Sequence, residues 1–97
     1  MPIEVKQAVK IAKDYIADLF AEESIVDIGL EEVLKDESGE KWLVTVGFYR
    51  QDGGDAANKF LKLRTRQYKR VEIDDSPLST QPGKVLSVQN RLTLAIR

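Results

Sequence analysis

A basic stretch with one aromatic residue is the part of this sequence best suited to binding chemistry. Positions 59–70 hold six basic residues and no acidic one. Because side chains alternate between the two faces of a strand, residues spaced by two share a face, and here they are Lys62, Arg64, Arg66, Tyr68 and Arg70. Cations neutralise phosphate groups, and a tyrosine ring can stack on a base. We therefore take these five as candidate partner-binding residues.

The charge distribution leaves three interpretations of this basic stretch open. Lysine and arginine ordinarily decorate a solvent-facing strand, and acidic residues of the first strand (Asp27, Glu31 and Glu32) could pair with them inside the monomer. The second interpretation is a protein partner, either an acidic protein or a second copy of the chain, since positions 14–40 hold ten acidic residues and one basic residue. The third is nucleic acid, which the formal net charge of −1 disfavours.

Residue types that usually perform catalysis are missing from the chain. It contains no cysteine and no histidine, so it lacks a thiol nucleophile, the commonest general base near neutral pH and the commonest metal ligand. The acidic pairs Asp74-Asp75 and Glu22-Glu23 do not have the ligand spacing of a calcium loop. We predict no catalytic residue, no metal site and no cofactor, and a protein that is not an enzyme.

Length and composition bound the class of protein. The 97 residues, of which 42% are hydrophobic and 32% charged, suit one soluble globular domain. No apolar run reaches the roughly 18–20 residues that span a bilayer, and the first residues do not have the pattern of a signal peptide. We expect a cytoplasmic protein with no membrane partner.

The element that must position the basic stretch is a central strand at residues 41–50. It is rich in β-branched and aromatic residues, and its apolar side chains recur at every second position. One face is wholly apolar and large, and it carries Trp42, Val44, Val46 and Phe48. We expect this face to lie on the core and the other elements to pair with the strand or to cover it.

A helix and three further strands complete the predicted architecture. Apolar residues at helical spacing predict a helix over residues 3–21, and they are Val5, Val9, Ala12, Ile16 and Leu19. A first strand at 25–35, with a bulge or edge position suggested by Gly29, joins the central strand through a polar turn at 36–40. A loop at 51–58 leads to a long or bent strand at 59–74, and a second loop ends at position 83.

The last predicted strand covers residues 84–89, with Leu86 and Val88 on one face. The same phase continues into residues 90–97, which can be a core strand or an exposed tail. The whole pattern predicts an α+β fold with one N-terminal helix packed on a four-stranded antiparallel meander, because that arrangement covers every apolar stripe without a crossover.

This order of motifs resembles known small domains. A helix precedes the Trp42-x-Val44-x-Val46 strand, and residues 68–74 (Tyr-Lys-Arg-Val-Glu-Ile-Asp) and 83–88 (Gly-Lys-Val-Leu-Ser-Val) follow. The pattern resembles helix-on-meander domains of the PepSY and cystatin-like kind. It is also similar to the gas vesicle accessory protein O family, in which a helix precedes a Trp-Arg-Val-Thr-Val-type strand and a Tyr-x-Val-x-Leu-Asp hairpin. The resemblance implies a non-enzymatic binding or assembly role.

Three hypotheses about function follow from these patterns. The first is a protein-interaction, assembly or regulatory module that binds a partner or a second copy through an exposed sheet face or edge, and a homodimer is favoured. The second is a nucleic-acid-binding protein that uses the same basic stretch. The third is a small enzyme of cystatin-like fold, with a pocket between the helix and the sheet.

Overall fold

The computed structural model describes residues 3–50 and 66–91 of the chain. Its elements are helix α1 (Val5–Leu19), a short 3-10 helix (Ala21–Glu23) and strands β1 (Ile25–Lys35), β2 (Lys41–Arg50), β3 (Gln67–Asp74) and β4 (Val85–Arg91). The strands form one antiparallel sheet in the order β1-β2-β3-β4. The predicted α+β fold, with an N-terminal helix on a four-stranded antiparallel meander, is confirmed.

The observed element boundaries agree closely with the predicted ones. The first two strands have the predicted limits, whereas α1 is shorter than the predicted residues 3–21 at both ends. Its start is fixed by Gln7, whose side-chain oxygen accepts a hydrogen bond from the Glu4 backbone N–H at 2.9 Å and so satisfies one free donor at the helix start. The predicted loop 51–58, positions 59–65 of the long strand, and the tail 92–97 lie outside the described residues.

The core lies between α1 and the middle of the sheet. The helix contributes Ala8, Ala12 and Ile16, which lie on one side of it because they are spaced by four residues. They pack against five fully buried residues of β2 and β3, and these are Val44, Val46, Phe48, Val71 and Ile73. Two small alanines allow the helix backbone to approach the sheet closely. The predicted apolar face of the central strand is therefore the core face.

The turn between β1 and β2 is organised by the Asp36 carboxylate. Its Oδ1 accepts hydrogen bonds from the backbone N–H groups of Glu40 and Lys41 at 3.1 and 3.2 Å, and both carboxylate oxygens accept from the Ser38 hydroxyl. Desolvation tends to raise the pKa of Asp36, but the hydrogen bonds from Ser38 and the two backbone N–H groups lower it overall. Gly39 has a φ of +75°, a left-handed conformation that glycine adopts readily.

Bulges in both edge strands set which residues face the helix. β1 shifts register between Val26 and Gly29 and again between Leu30 and Glu32, as the broken alternation predicts. β4 shifts register beside Ile73, which pairs with Val85. The prediction that Leu86 and Val88 lie on one face is wrong, because this irregularity leaves Leu86 exposed while Val85 and Val88 pack on the core.

Candidate functional site

Charged side chains gather on the face of the sheet opposite the helix. α1 packs on the face that carries Val44, Val46 and Phe48, and we call the opposite one the helix-free face. There, three arginines meet two glutamates of β1. One arginine lies on β4, one on β3 and one directly before β3. We call these residues the Arg–Glu cluster, and they are Glu31, Glu32, Arg66, Arg70 and Arg91.

Arg66 is held on the sheet by three contacts. Its Nε donates a hydrogen bond to Oε2 of Glu31 at 2.5 Å, and its Nη2 donates to the backbone carbonyl of Gly47 at 3.0 Å. The guanidinium carbon lies 5.0 Å from the centre of the Tyr49 ring, which is within the range of a cation–π interaction. Only 19% of the side chain remains exposed. Arg66 therefore has a fixed position on the helix-free face.

Glu32 receives two guanidinium groups from different strands. Its Oε1 lies 3.6 Å from Nη2 of Arg70 and 3.6 Å from Nη1 of Arg91. The hydroxyl of Thr45, which is fully buried, donates to the same oxygen at 3.4 Å. Among the described residues, the buried Nε of Arg70 has no hydrogen-bond partner. Since three guanidiniums face two carboxylates, the cluster keeps about one positive charge.

Two local features of the backbone bring the cluster together. The register shift between Leu30 and Glu32 leaves Glu31 unpaired in the ladder, so that consecutive carboxylates both reach arginines. Gly47 provides the space for one of the ion pairs. A Cβ atom at this position would lie 2.6 Å from both Nε of Arg66 and Oε2 of Glu31.

Three of the five predicted partner-binding residues are among those that the structure describes, and it brings these three together. Arg66, Tyr68 and Arg70 share the helix-free face, and Tyr68 is half-buried opposite Gly47 on β2 and Arg91 on β4. The predicted residues Lys62 and Arg64 lie outside the described residues. Arg66 and Arg70 pair with β1 glutamates of the same monomer, which is one of the interpretations that the sequence leaves open.

Sequence reasoning missed the participation of Arg91. Its register opposite Tyr68 depends on the irregularity near the start of β4, which the assumed strict alternation of Leu86 and Val88 did not include. The available signal was the pair Val85 and Val88, whose odd spacing is incompatible with one face of a regular strand.

A second charged group lies at the other side of the sheet, near the C-terminal end of α1. The Phe20 ring packs on Phe48 with ring centres 5.3 Å apart. Arg50 lies 5.6 Å from the centre of the Phe20 ring and Lys69 lies 5.4 Å from it. Burial lowers the pKa of Lys69, and the positive charge of Arg50 lowers it further. Arg50 also pairs with Glu23 of the acidic pair Glu22-Glu23.

A partly buried ion pair joins the residues before α1 to the end of the sheet that carries the β1–β2 turn. The Asp75 carboxylate, whose side chain is 1% exposed, accepts hydrogen bonds from Nζ of Lys35 at 2.5 Å and from the Ile3 backbone N–H at 2.8 Å. Burial tends to raise the pKa of Asp75, but these hydrogen bonds and the Lys35 charge hold it below its ordinary value of 3.8. Nζ of Lys35 also lies 4.7 Å from the centre of the Trp42 ring.

The Asp74-Asp75 pair is thus accounted for by local structure. Asp74 accepts a hydrogen bond from the Ser76 backbone N–H at 3.1 Å, and hydrogen bonds from Ser79 and Ser76 lower its pKa. Within residues 3–50 and 66–91, no group of three or more acidic, histidine or cysteine side chains could hold a metal ion. No helix in the same ranges has the length and apolar character needed to cross a membrane.

Comparison with known proteins assigns the chain to no group. No protein-family model matches the sequence, and no curated protein and no solved structure is significantly similar to it.

Proposed function

We propose that this chain is a non-enzymatic interaction module that binds a protein partner, or a second copy of itself, through the helix-free face. The observation that carries the proposal is the Arg–Glu cluster beside Tyr68. Arginine and tyrosine are among the residue types that contribute most to binding at protein interfaces. Here ion pairs of 2.5–3.6 Å already fix the arginine side chains, so binding would cost less side-chain entropy than it would with free arginines.

Self-association is the form of this proposal that can be tested without knowing a partner. The helix-free face carries charges of both signs, with Glu72 beside the cluster on β3. Two copies related by a two-fold axis can therefore oppose arginines with glutamates, since each patch meets its own copy in an isologous dimer. We favour a homodimer for this reason, and we treat the chain as a cytoplasmic protein.

Sedimentation equilibrium at about 50 mM and about 500 mM salt tests self-association, because surface ion pairs are screened at the higher ionic strength. We expect a dimer that weakens with salt. Tyr68→Ala should weaken it about 30-fold, the loss typical of an interface hot spot. Leu78→Ala is the matched control, because Leu78 is 91% exposed in the β3–β4 loop. A dimer that Tyr68→Ala leaves unchanged would place the interface elsewhere.

If the protein is monomeric at every concentration, the form of the proposal in which the partner is a different protein remains, and affinity capture can test it. A protein that binds the wild-type chain and Leu78→Ala, and that Tyr68→Ala and Arg70→Gln both lose, would support it. A bound protein that all four chains retain equally would contradict it. Circular dichroism on each variant separates loss of binding from loss of folding.

Nucleic acid is the second candidate, since the same arginines could contact phosphates. Three such contacts would give a slope of about −2.7 for log K against log salt on duplex DNA. The ion pairs of Arg66 with Glu31 and of Arg70 with Glu32 disfavour it, because a phosphate at these arginines would also meet the negative charges of the two carboxylates, whereas a protein partner can present charges of both signs. An enzyme pocket between α1 and the middle of the sheet is disfavoured by packing, since Ile16 and Phe48 fill that space.

A further inference from the structure

A groove between α1 and β1 forms a second binding surface, separate from the helix-free face. We propose that this groove docks an acidic amphipathic helix of a partner protein. The proposal does not depend on the function of the helix-free face, because the two surfaces share none of their lining residues. It is carried by an apolar floor, a row of lysines above it and an edge strand that cannot readily accept another strand.

The floor of the groove is apolar and open to solvent. Val5 and Val9 of α1 face Leu30 and Val33 of β1 across a volume of about 500 Å³, which is within the range of ligand clefts. Val5 and Leu30 are 42% and 43% exposed. Apolar side chains that line a concave surface gain free energy when a partner covers them. The groove therefore has the shape and the chemistry to receive apolar side chains.

Three lysines line the helix side of the groove. Lys6, Lys10 and Lys13 are spaced by four and three residues, so they form one row on α1. Only Lys10 has an ion pair described, with the exposed Asp14 at 2.7 Å, and such an exposed pair is weak. The row places three positive charges beside the single carboxylate of Asp14, which also lines the groove, so it favours a partner that carries negative charge.

The spacing of the lysines identifies the form of that partner. Lys6 and Lys13 are seven positions apart on the helix, or about 10 Å, so a single carboxylate cannot reach all three ammonium groups. A helix with glutamates at the same four-and-three spacing presents its charges at matching intervals, and its apolar stripe can then enter the groove. A flat anionic bilayer would meet the lysines but would not match the concave shape of the groove.

The geometry of β1 argues against the other common mode of peptide binding. β1 is an edge strand, and an extended peptide could in principle add to it through main-chain hydrogen bonds. The two register shifts interrupt the ladder beside the groove, and Asp27, in the first of them, has a φ of +58°. Bulges of this kind protect edges from strand addition. A helical partner does not need a regular edge.

Fluorescence anisotropy with a defined peptide tests the proposal. The probe is a labelled helical peptide of about 18 residues, long enough to span the groove, with leucines along one stripe and glutamates on both flanks. We expect it to bind wild-type protein and to bind the K6E/K10E/K13E variant at least about tenfold more weakly, since three attractions become repulsions. Lys84→Glu, an exposed lysine outside the groove, should change the affinity less than about twofold.

Three results would overturn the proposal. One is equal affinity for the probe and for a scrambled peptide of the same composition. Another is equal affinity of the wild-type chain and of the folded K6E/K10E/K13E variant. The third is binding to phosphatidylglycerol vesicles without binding to the peptide, which would make the lysine row a membrane contact.

A floor variant and a cross-check separate this site from the helix-free face. Leu30→Gln changes a side chain that is already 43% exposed, so the protein should fold, and peptide binding should weaken at least about tenfold. Tyr68→Ala, which tests the proposed function, should leave peptide binding unchanged. Loss of peptide binding in Tyr68→Ala but not in Leu30→Gln would contradict the assignment of the groove.

Discussion

Replacing Asp75 with asparagine should destabilise the fold by about 2–3 kcal/mol at pH 7. The carboxylate accepts one hydrogen bond from the Lys35 ammonium and one from the Ile3 N–H while its side chain is 1% exposed. Asparagine can keep the Ile3 bond through its Oδ1, but its amide group then faces the Lys35 ammonium with a donor instead of an acceptor. A hydrogen bond to a charged group contributes about 1.5–3 kcal/mol.

The exposure of Lys35 sets the upper bound on this effect. Removing one partner of a fully buried ion pair costs about 3–5 kcal/mol. The Lys35 side chain is 34% exposed, so water can solvate the ammonium group that the substitution leaves unpaired. The expected loss therefore lies below that range. For a domain of this length it corresponds to a fall in Tm of about 8–24 °C.

Urea unfolding followed by far-UV circular dichroism measures the effect without relying on Trp42, whose fluorescence would report the substitution itself. Asp14→Asn is the matched control, because it removes a carboxylate from the exposed Lys10–Asp14 pair, and it should cost less than about 0.5 kcal/mol. A loss of less than about 0.5 kcal/mol for Asp75→Asn would refute the view that this pair fixes the chain start to the sheet.

The pH dependence gives an independent check of the same contact. The folded-state pKa of Asp75 lies below 3.8, so on acidification the unfolded chain binds a proton before the folded one does. The stabilisation is complete above the unfolded pKa and is lost as the pH falls through the folded pKa. The difference between wild type and Asp75→Asn should be constant from about pH 5 to 7 and shrink below about pH 4. A difference that persists down to about pH 2 would refute this linkage.

Two further predictions concern the turn at Gly83 and the cations around Phe20. Gly83 has a φ of +95°, and an added Cβ would lie 3.1 Å from Cδ1 of Ile11, so Gly83→Ala should lower the free energy of unfolding in urea by about 2 kcal/mol. Gly39→Ala should lower it by about 1 kcal/mol, because the Cβ there would meet nothing within 4 Å. Equal losses in the two variants would mean that the Ile11 side chain moves aside without cost. A ¹³C NMR titration should give Lys69 a pKa below the ordinary value of 10.5. Arg50→Gln should raise the pKa of Lys69, because it removes a neighbouring positive charge. An unchanged pKa of Lys69 in Arg50→Gln would rule out this charge as a cause.

The sequence was sufficient to predict the fold because its local signals agree with one another. The alternation of Val44, Val46 and Phe48 identifies the core face of β2, and α1 has an apolar stripe of matching length. The Asp-Glu-Ser-Gly-Glu turn fixes the pairing of β1 with β2. Consistency between periodicity and turn chemistry is what makes a sequence compatible with few topologies.

The candidate site could be predicted only in part, because it depends on register. Alternation correctly placed Arg66, Tyr68 and Arg70 on one face, but it could not show which strand residues lie opposite them. Arg91 joins the cluster through a register that an irregularity near the start of β4 determines. A one-residue shift moves every later side chain to the other face of a strand, and single-sequence patterns do not locate such shifts reliably.

The bulge at Glu31 links the two surfaces proposed for binding. Strict alternation would place Leu30 and Glu32 on one face of β1 and Glu31 and Val33 on the other. Instead, both glutamates contact arginines on the helix-free face, while Leu30 and Val33 line the groove beside α1. One additional residue in the ladder thus separates four consecutive side chains into a charged pair and an apolar pair. An edge strand without this bulge would mix a carboxylate into the groove floor and leave Arg66 or Arg70 without its partner.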